Sequence, residues 1–334
     1  MNPTLAPTPL LRLLVTLFAL WLMLPGQARA DTCTATMTDV AFGNVNPIDG
    51  TDYYAGGTLT VTCTWTLLTG TPPLLLLPNV SVCATLGGGS GMWRTMTNGA
   101  DTLPFNLYTD TTYAAASVWS TGTTSGTASF NVSMGGLLAI GSLSRSFPVY
   151  GKIPGSAITA VRTVGNGNTT YTANFSGQGT LQFAFYGLVK PACTSGASTT
   201  FAFQARATVV NDCRISAAPL AFGTARVLNA PVRASAALGI QCTAGTAYQV
   251  SLNSGNYAIG GQRRMRNGAT GEMVYYGLSA TYDGPAWGDG ANGTTLGGTG
   301  TGAVQSQSLY GRVAPQATPS PGDYKDTVTA TLIF

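Results

Sequence analysis

The chain of 334 residues contains no histidine. A histidine-ligated metal, a Ser-His or Cys-His nucleophile and imidazole acid–base chemistry are thereby excluded. Charge is scarce as well: Asp, Glu, Lys and Arg make up 8% of the residues, too few for the basic stripe that nucleic acid requires. Residues 31–211 carry six acids (Asp31, Asp39, Asp49, Asp52, Asp101, Asp110) and six bases, and residues 212–334 carry six acids and eight bases. Thr, Ser, Asn and Gly must therefore supply most of the polar surface. Long hydrophobic runs are absent with one exception, Leu13–Leu24 (LLVTLFALWLML). Its twelve residues fall short of the roughly twenty that span a bilayer. Arg12 precedes it, Pro25-Gly26-Gln27 breaks it, and Ala28-Arg29-Ala30 has the form of an A-x-A cleavage site. Residues 1–30 are expected to be a signal peptide, leaving an exported chain that starts near Asp31 with its net charge lowered from +4 to +2.

Cysteine is sparse but even in number. Six are present and none forms a CxxC pair. In an oxidising compartment that count predicts three disulfides, and no metal or cofactor is expected. The glycine-rich stretches Gly87–Gly91 and Gly297–Gly302 open no helix and hold no phosphate lysine, so they are loops. Glu272, Asp283 and Asp289 are the acids from which a glycosidase pair would have to be drawn. Scattered acids on a β surface are more often merely solvated.

What is present in abundance is repetition. Cys33-x8-Phe42-Gly43 is followed by Cys63, and Cys213-x8-Phe222-Gly223 is followed by Cys242. Arg94-x-Met96-x-Asn98-Gly99 corresponds to Arg263-x-Met265-x-Asn267-Gly268, Trp119 to Trp287, and Tyr150-Gly151-Lys152-Ile153 to Tyr310-Gly311-Arg312-Val313. Four anchors in one order describe a domain written twice, divided near Val210–Asp212. Thr58–Thr64, Val80–Ala84, Ala128–Ser133, Phe201–Val209 and Thr327–Phe334 alternate apolar and polar residues, with turn signals such as Asn98-Gly99 between them. This predicts an all-β chain of two tandem Ig-like sandwiches, residues 31–210 and 211–334.

In combination these motifs resemble the spore coat U-type pilin domains of archaic (Csu-type) chaperone–usher pili, over essentially all of residues 31–334. Two such domains in one secreted chain is the arrangement of that family's tip adhesin. The resemblance implies a periplasmic chaperone, an outer-membrane usher and a neighbouring pilin as partners, an abiotic or host surface as target, and no enzymatic activity. It also implies that the second domain lacks a closing strand and accepts one along an edge formed by Val328, Ala330, Leu332 and Phe334. A structural coat or shaft subunit, and a secreted carbohydrate-binding or hydrolytic double sandwich, remain as alternatives.

The repeat pairs Cys33 with Cys63 and Cys213 with Cys242, which leaves Cys83 and Cys193 for a third bridge. It also puts Cys33 and Cys63 at the first domain's free pole, so the segment after Cys63 is expected at the tip. That segment holds six leucines within eleven residues, interrupted by Pro72, Pro73 and Pro78. Leu67, Leu68, Pro72, Pro73 and Leu74 are candidates for a surface-binding finger, although Leu74–Leu77 fits a buried strand equally well. Two further apolar segments, with Leu137, Leu138 and Ile140 in one and Ile158 and Val161 in the other, are candidates to join it. Cleavage after Ala30 would leave only Asp31 and Thr32 ahead of Cys33, about 7 Å of chain and too little to donate a strand. The chain is thus expected to accept a strand and give none, at the distal end of a fibre.

Overall fold

The computed structural model describes residues 31–65, 79–87, 93–121, 130–135, 142–186, 189–192 and 195–334. Among the described residues the first half contains twelve strands: β1 (Thr32–Met37), β2 (Val40–Val45), β3 (Tyr53–Thr64), β4 (Asn79–Leu86), β5 (Arg94–Asn98), β6 (Asp101–Tyr108), β7 (Phe130–Gly135), β8 (Ser142–Ile153), β9 (Thr169–Asn174), β10 (Gly179–Tyr186), β11 (Ala197–Phe201) and β12 (Gln204–Val209). The second contains ten: β13 (Cys213–Ala217), β14 (Val232–Cys242), β15 (Ala247–Leu252), β16 (Arg264–Asn267), β17 (Met273–Tyr275), β18 (Gly277–Ser279), β19 (Leu296–Thr299), β20 (Gln305–Val313), β21 (Tyr324–Lys325) and β22 (Ala330–Ile333). Alternation decides most of these. In β12, for example, Ala205, Ala207 and Val209 are buried and the residues between them face outward.

In the first half a sheet ordered β1-β3-β8-β6-β5-β9-β12-β2 packs on a second ordered β11-β10-β4-β7. β3 and β8 pair over their whole length, from Tyr53–Ile153 to Thr64–Ser142. Pro148 is tolerated inside β8 because β6 pairs only from Lys152 to Tyr150, so no ladder needs the missing N–H. The core is one cluster running from Cys33 to Val209. At its centre the Trp119 ring stacks on Phe201 and Phe203 at centroid distances of 6.0 and 6.2 Å. The second half is built alike, with sheets β13-β14-β20-β18, β19-β15-β22 and β17-β16-β21 around a separate cluster of buried residues from Leu238 to Leu309.

Two predicted disulfides are present, each joining residues directly opposite one another: Cys33 to Cys63 across β1 and β3, and Cys213 to Cys242 across β13 and β14. Cys83 is also disulfide-bonded, while Cys193 lies outside the described residues.

The halves meet where β2, β8 and β12 end. The Asn166 side chain accepts from the Ala247 N–H at 2.9 Å and donates to its carbonyl at 3.1 Å, as a strand neighbour would. The Thr163 N–H donates to the Ala244 carbonyl at 3.0 Å, and Asn46 Nδ2 donates to the Asp212 carboxylate at 2.7 Å. An ion pair joins Arg214 to Asp49.

Candidate functional site

The two halves correspond through their internal anchors. Trp119 donates its indole N–H to the Ala84 carbonyl at 3.0 Å, and Trp287 donates to Val250 at 3.1 Å. Each repeat arginine is buried and aimed at backbone beside that tryptophan. Arg94 donates to the Trp119 carbonyl at 2.7 Å and to the Asn106 side chain at 2.7 Å, and Arg263 donates to the carbonyls of Leu252 and Asn253 at 3.1 and 2.6 Å. Burial pulls the Arg94 guanidinium down to about 10 and lowers that of Arg263. The Arg-x-Met-x-Asn-Gly motif is therefore a pillar of the fold and not a surface cation. Ala84 corresponds to Val250, and the strands opposite put Leu181 against Ala84 and Leu332 against Val250. Leu181 thus matches Leu332, Gly179 matches Ala330, and Phe183 matches Phe334.

With that correspondence the difference between the halves is local. In the first, β9 and β10 are covered along their length by the antiparallel β12 and β11, from Thr169–Val209 to Phe183–Ala197. β12 in turn pairs in parallel with β2, from Val40–Ala205 to Val45–Val209. Phe201, Phe203, Ala205, Ala207 and Val209 point inward and are buried. This strand closes the first sandwich.

In the second half no described residue occupies that place. β22 pairs with β15 on one side and is the last strand of its sheet on the other. Leu220 and Phe222 pack over Gly311 as Val40 and Phe42 pack over Gly151, so the segment is folded back the same way. Yet residues 218–231 form no strand, whereas the equivalent β2 does. The reason is that β2 has β12 to pair with. Along this seam the inward side chains are left half-covered. Phe334 is 47% exposed where Phe183 is 6%, and Val328, Leu332, Ile215 and Phe222 are only partly buried. The predicted edge residues Val328, Ala330, Leu332 and Phe334 are thus together on one side of an open seam lying between β22 and β13.

The far pole of the first sandwich is defined by where strands end. Thr64 pairs with both Thr32 and Ser142, and Asn79 pairs with both Gly135 and Tyr186. Thr64, Asn79, Gly135 and Ser142, the described ends of two connections, therefore lie at one pole, opposite the junction. Leu67, Leu68, Pro72, Pro73, Leu74, Leu137, Leu138 and Ile140 all belong to these two connections but lie outside the described residues. Trp65, at the root of the first, is buried and packs edge-on against Phe185 at 6.3 Å.

The third apolar segment does not belong to that pole. Ile158 is fully buried and Val161 is 6% exposed, both in the core of the first sandwich. β8 runs from the far pole toward the junction, so the chain beyond its end emerges beside the second half, with Thr159 against Gly302 and Arg162 bridged to Ala244. These two residues serve packing and not surface binding.

The three acids considered for hydrolysis are held in separate networks. Asp283 is paired with Arg233 and Arg312, Asp289 accepts backbone N–H groups of Asn292 and Ala291, and Glu272 accepts from Ser320 and Thr270. Each of these contacts holds its carboxyl below the usual range, the opposite of what a general acid needs. Sequence reasoning missed the role of β2. Its signal was the spacing Val40-x-Phe42-x-x-Val45, three inward residues immediately before the turn to β3.

The geometry defines a pair of Ig-like sandwiches, one closed by its own last strand and one open along the corresponding seam. A family model described as the Spore Coat Protein U domain matches residues 22–174 and again 199–331, and the chain belongs to that family. No curated protein matches it. Among solved structures it is similar to the CsuC–CsuE chaperone–tip adhesion subunit pre-assembly complex from archaic chaperone–usher Csu pili of Acinetobacter baumannii. Identity is 18% over 91% of this chain and 100% of that chain, with a TM-score of 0.46. A chaperone–tip adhesin complex of CFA/I fimbriae biogenesis is similar at 11% identity over 90% of this chain and 97% of that one, with a TM-score of 0.33.

Proposed function

We propose that this chain is the tip adhesin of a chaperone–usher pilus, divided into an N-terminal adhesin domain (31–210) and a C-terminal pilin domain (211–334). The observation that carries the reading is the open seam of the second sandwich beside a closed copy of the same fold. An unpaired edge strand flanked by half-exposed apolar residues invites an added strand, which would complete the ladder and the core together. Each large side chain that goes from half to fully covered contributes roughly 1 kcal/mol. A periplasmic chaperone would fill the seam first and, after passage through the usher, an adjacent subunit would replace it. The corresponding seam of the first sandwich is filled by β11 and β12. On this reading the leucine- and proline-rich sequence between Thr64 and Asn79 supplies an apolar contact surface for abiotic or host material. The protein would then act at the cell surface, after export through the periplasm.

The test is made on intact fibres and on the full chain. Exported without its chaperone, the full chain should aggregate, and co-expression should rescue it as a complex. Gold labels against the first sandwich should mark fibre ends. Labels along the whole length would replace the tip reading with that of a shaft subunit, and export of a soluble monomer from cells that lack the chaperone would end the strand-addition reading.

A further inference from the structure

The strand that closes the first sandwich shows what the second requires, and also that the two requirements differ. The second family match starts at residue 199, fourteen residues before Cys213, and so includes most of the segment that forms β11 and β12. The closing strand of the first unit is therefore the leading segment of the next unit along the chain. Its inward residues are a template for any strand entering the matched seam.

The template fails at one position. Phe201 lies directly opposite Gly179, and a Cβ on that glycine would meet the Phe201 ring at 2.5 Å. The ring also stacks on Trp119 at 6.0 Å, parallel to within 13°. Gly179 is matched by Ala330, which carries that Cβ, and Trp119 is matched by Trp287, which is equally buried. A phenylalanine presented to the second seam in the same register would be caught between Ala330 and Trp287.

Resting on the strand-addition reading above, we infer that Ala330 is a specificity residue. It selects, from another polypeptide, an incoming strand with a small side chain opposite it, and rejects this chain's own closing strand. One consequence is that copies of this chain do not polymerise by exchanging residues 197–209. Another is that the partner strand has Ala, Ser or Gly where this one has Phe201, and keeps large or β-branched residues elsewhere on its inward face. A rejecting contact of this kind complements the attraction of an open edge, which by itself accepts any extended segment.

The experiment uses the full-length chain as its chaperone complex, and two synthetic peptides that compete for the seam. One copies residues 197–209 and the other carries Phe201→Ala. Binding is read by fluorescence anisotropy, and location by hydrogen-exchange protection at Thr329–Phe334. The Ala peptide should bind at least tenfold more tightly than the Phe peptide, and Ala330→Gly should remove that preference. Equal binding of both peptides to the unaltered chain overturns the specificity role while leaving strand addition standing. Binding of neither peptide to either chain counts against strand addition itself. An internal cycle needs no ligand: Gly179→Ala and Phe201→Ala should each destabilise the first sandwich, and the double variant should lose clearly less than their sum. Additive losses would also overturn the inference.

Discussion

Two leucines at matched positions should respond differently to the same truncation. Leu181 is fully buried, with Ala84 across the ladder on one side and Thr199 on the other. Leu332 has Val250 on one side and the open seam on the other. Leu181→Ala removes about three methylene equivalents from a closed core and leaves a cavity, for an expected loss of about 3–4 kcal/mol. Leu332→Ala removes the same atoms from a site already half solvated, where little cavity can form, so about 1–2 kcal/mol is expected. Once a strand fills the seam the asymmetry should close, and Leu332→Ala should then weaken strand binding about tenfold, equivalent to about 1.4 kcal/mol. The assay is hydrogen exchange against urea on the full chain, reading peptides from β10 and β22 separately. If Leu332→Ala costs as much as Leu181→Ala with no partner present, the seam is covered and the reasoning fails.

Replacing Leu67, Leu68 and Pro72-Pro73, or Leu137, Leu138 and Ile140, with Ser should reduce attachment to hydrophobic surfaces while export and melting temperature hold. A variant that is no longer secreted would identify those residues as core. Ile158→Ala should do the reverse, costing about 2–5 kcal/mol by urea unfolding with no effect on attachment beyond the folded fraction. Reduction of the disulfides, which close loops 30 and 29 residues apart in sequence, should cost about 3.6 kcal/mol each on chain-entropy grounds, read as separate losses for the two sandwiches. Thermal melting should be level from about pH 5 to 9, since no histidine titrates there. Asp52, lowered by its bond from Lys152, Asp110 by Thr112 and Asp283 by Arg233 all have depressed values. Their stabilisation is present above the ordinary carboxylate range and is lost as pH falls through the lower folded values, so melting temperature should drop only below about pH 4.

The β class, the two copies and two of the disulfides were legible because each is carried by local pattern or by self-comparison. Alternation marked Phe201–Val209 as a strand, and the distance from Cys33 to Phe42 recurring from Cys213 to Phe222 marked the repeat. Two buried arginines were not legible. In sequence Arg94 and Arg263 look like surface cations, and only the carbonyls of Trp119 and Leu252 at the sandwich centre explain why a guanidinium is kept there. The place of an apolar segment was not legible either. Gly155–Val161 opens on a glycine and carries Ile158 and Val161, and only the direction of β8 shows what they face. β8 carries Ile158 and Val161 to the junction, where both are buried.

The most consequential feature was hidden for a related reason. Val40–Val45 and Leu220–Ala225 are near copies that fold back over the same glycine, yet only the first is a strand. A ladder needs two edges, and the second edge is supplied by residues 204–209, distant in sequence from both segments. Within one copy, therefore, no local pattern reveals whether the sandwich is closed. It is the comparison of copies that does: identical anchors at Trp119 and Trp287 fix the correspondence, and against that frame Leu332 is only partly buried where Leu181 is fully buried. The substitution of Ala330 for Gly179 then lies on the one seam where the copies differ in structure. Ala330 packs on the second core from one side, and on the strand-addition reading its Cβ also meets whichever strand arrives.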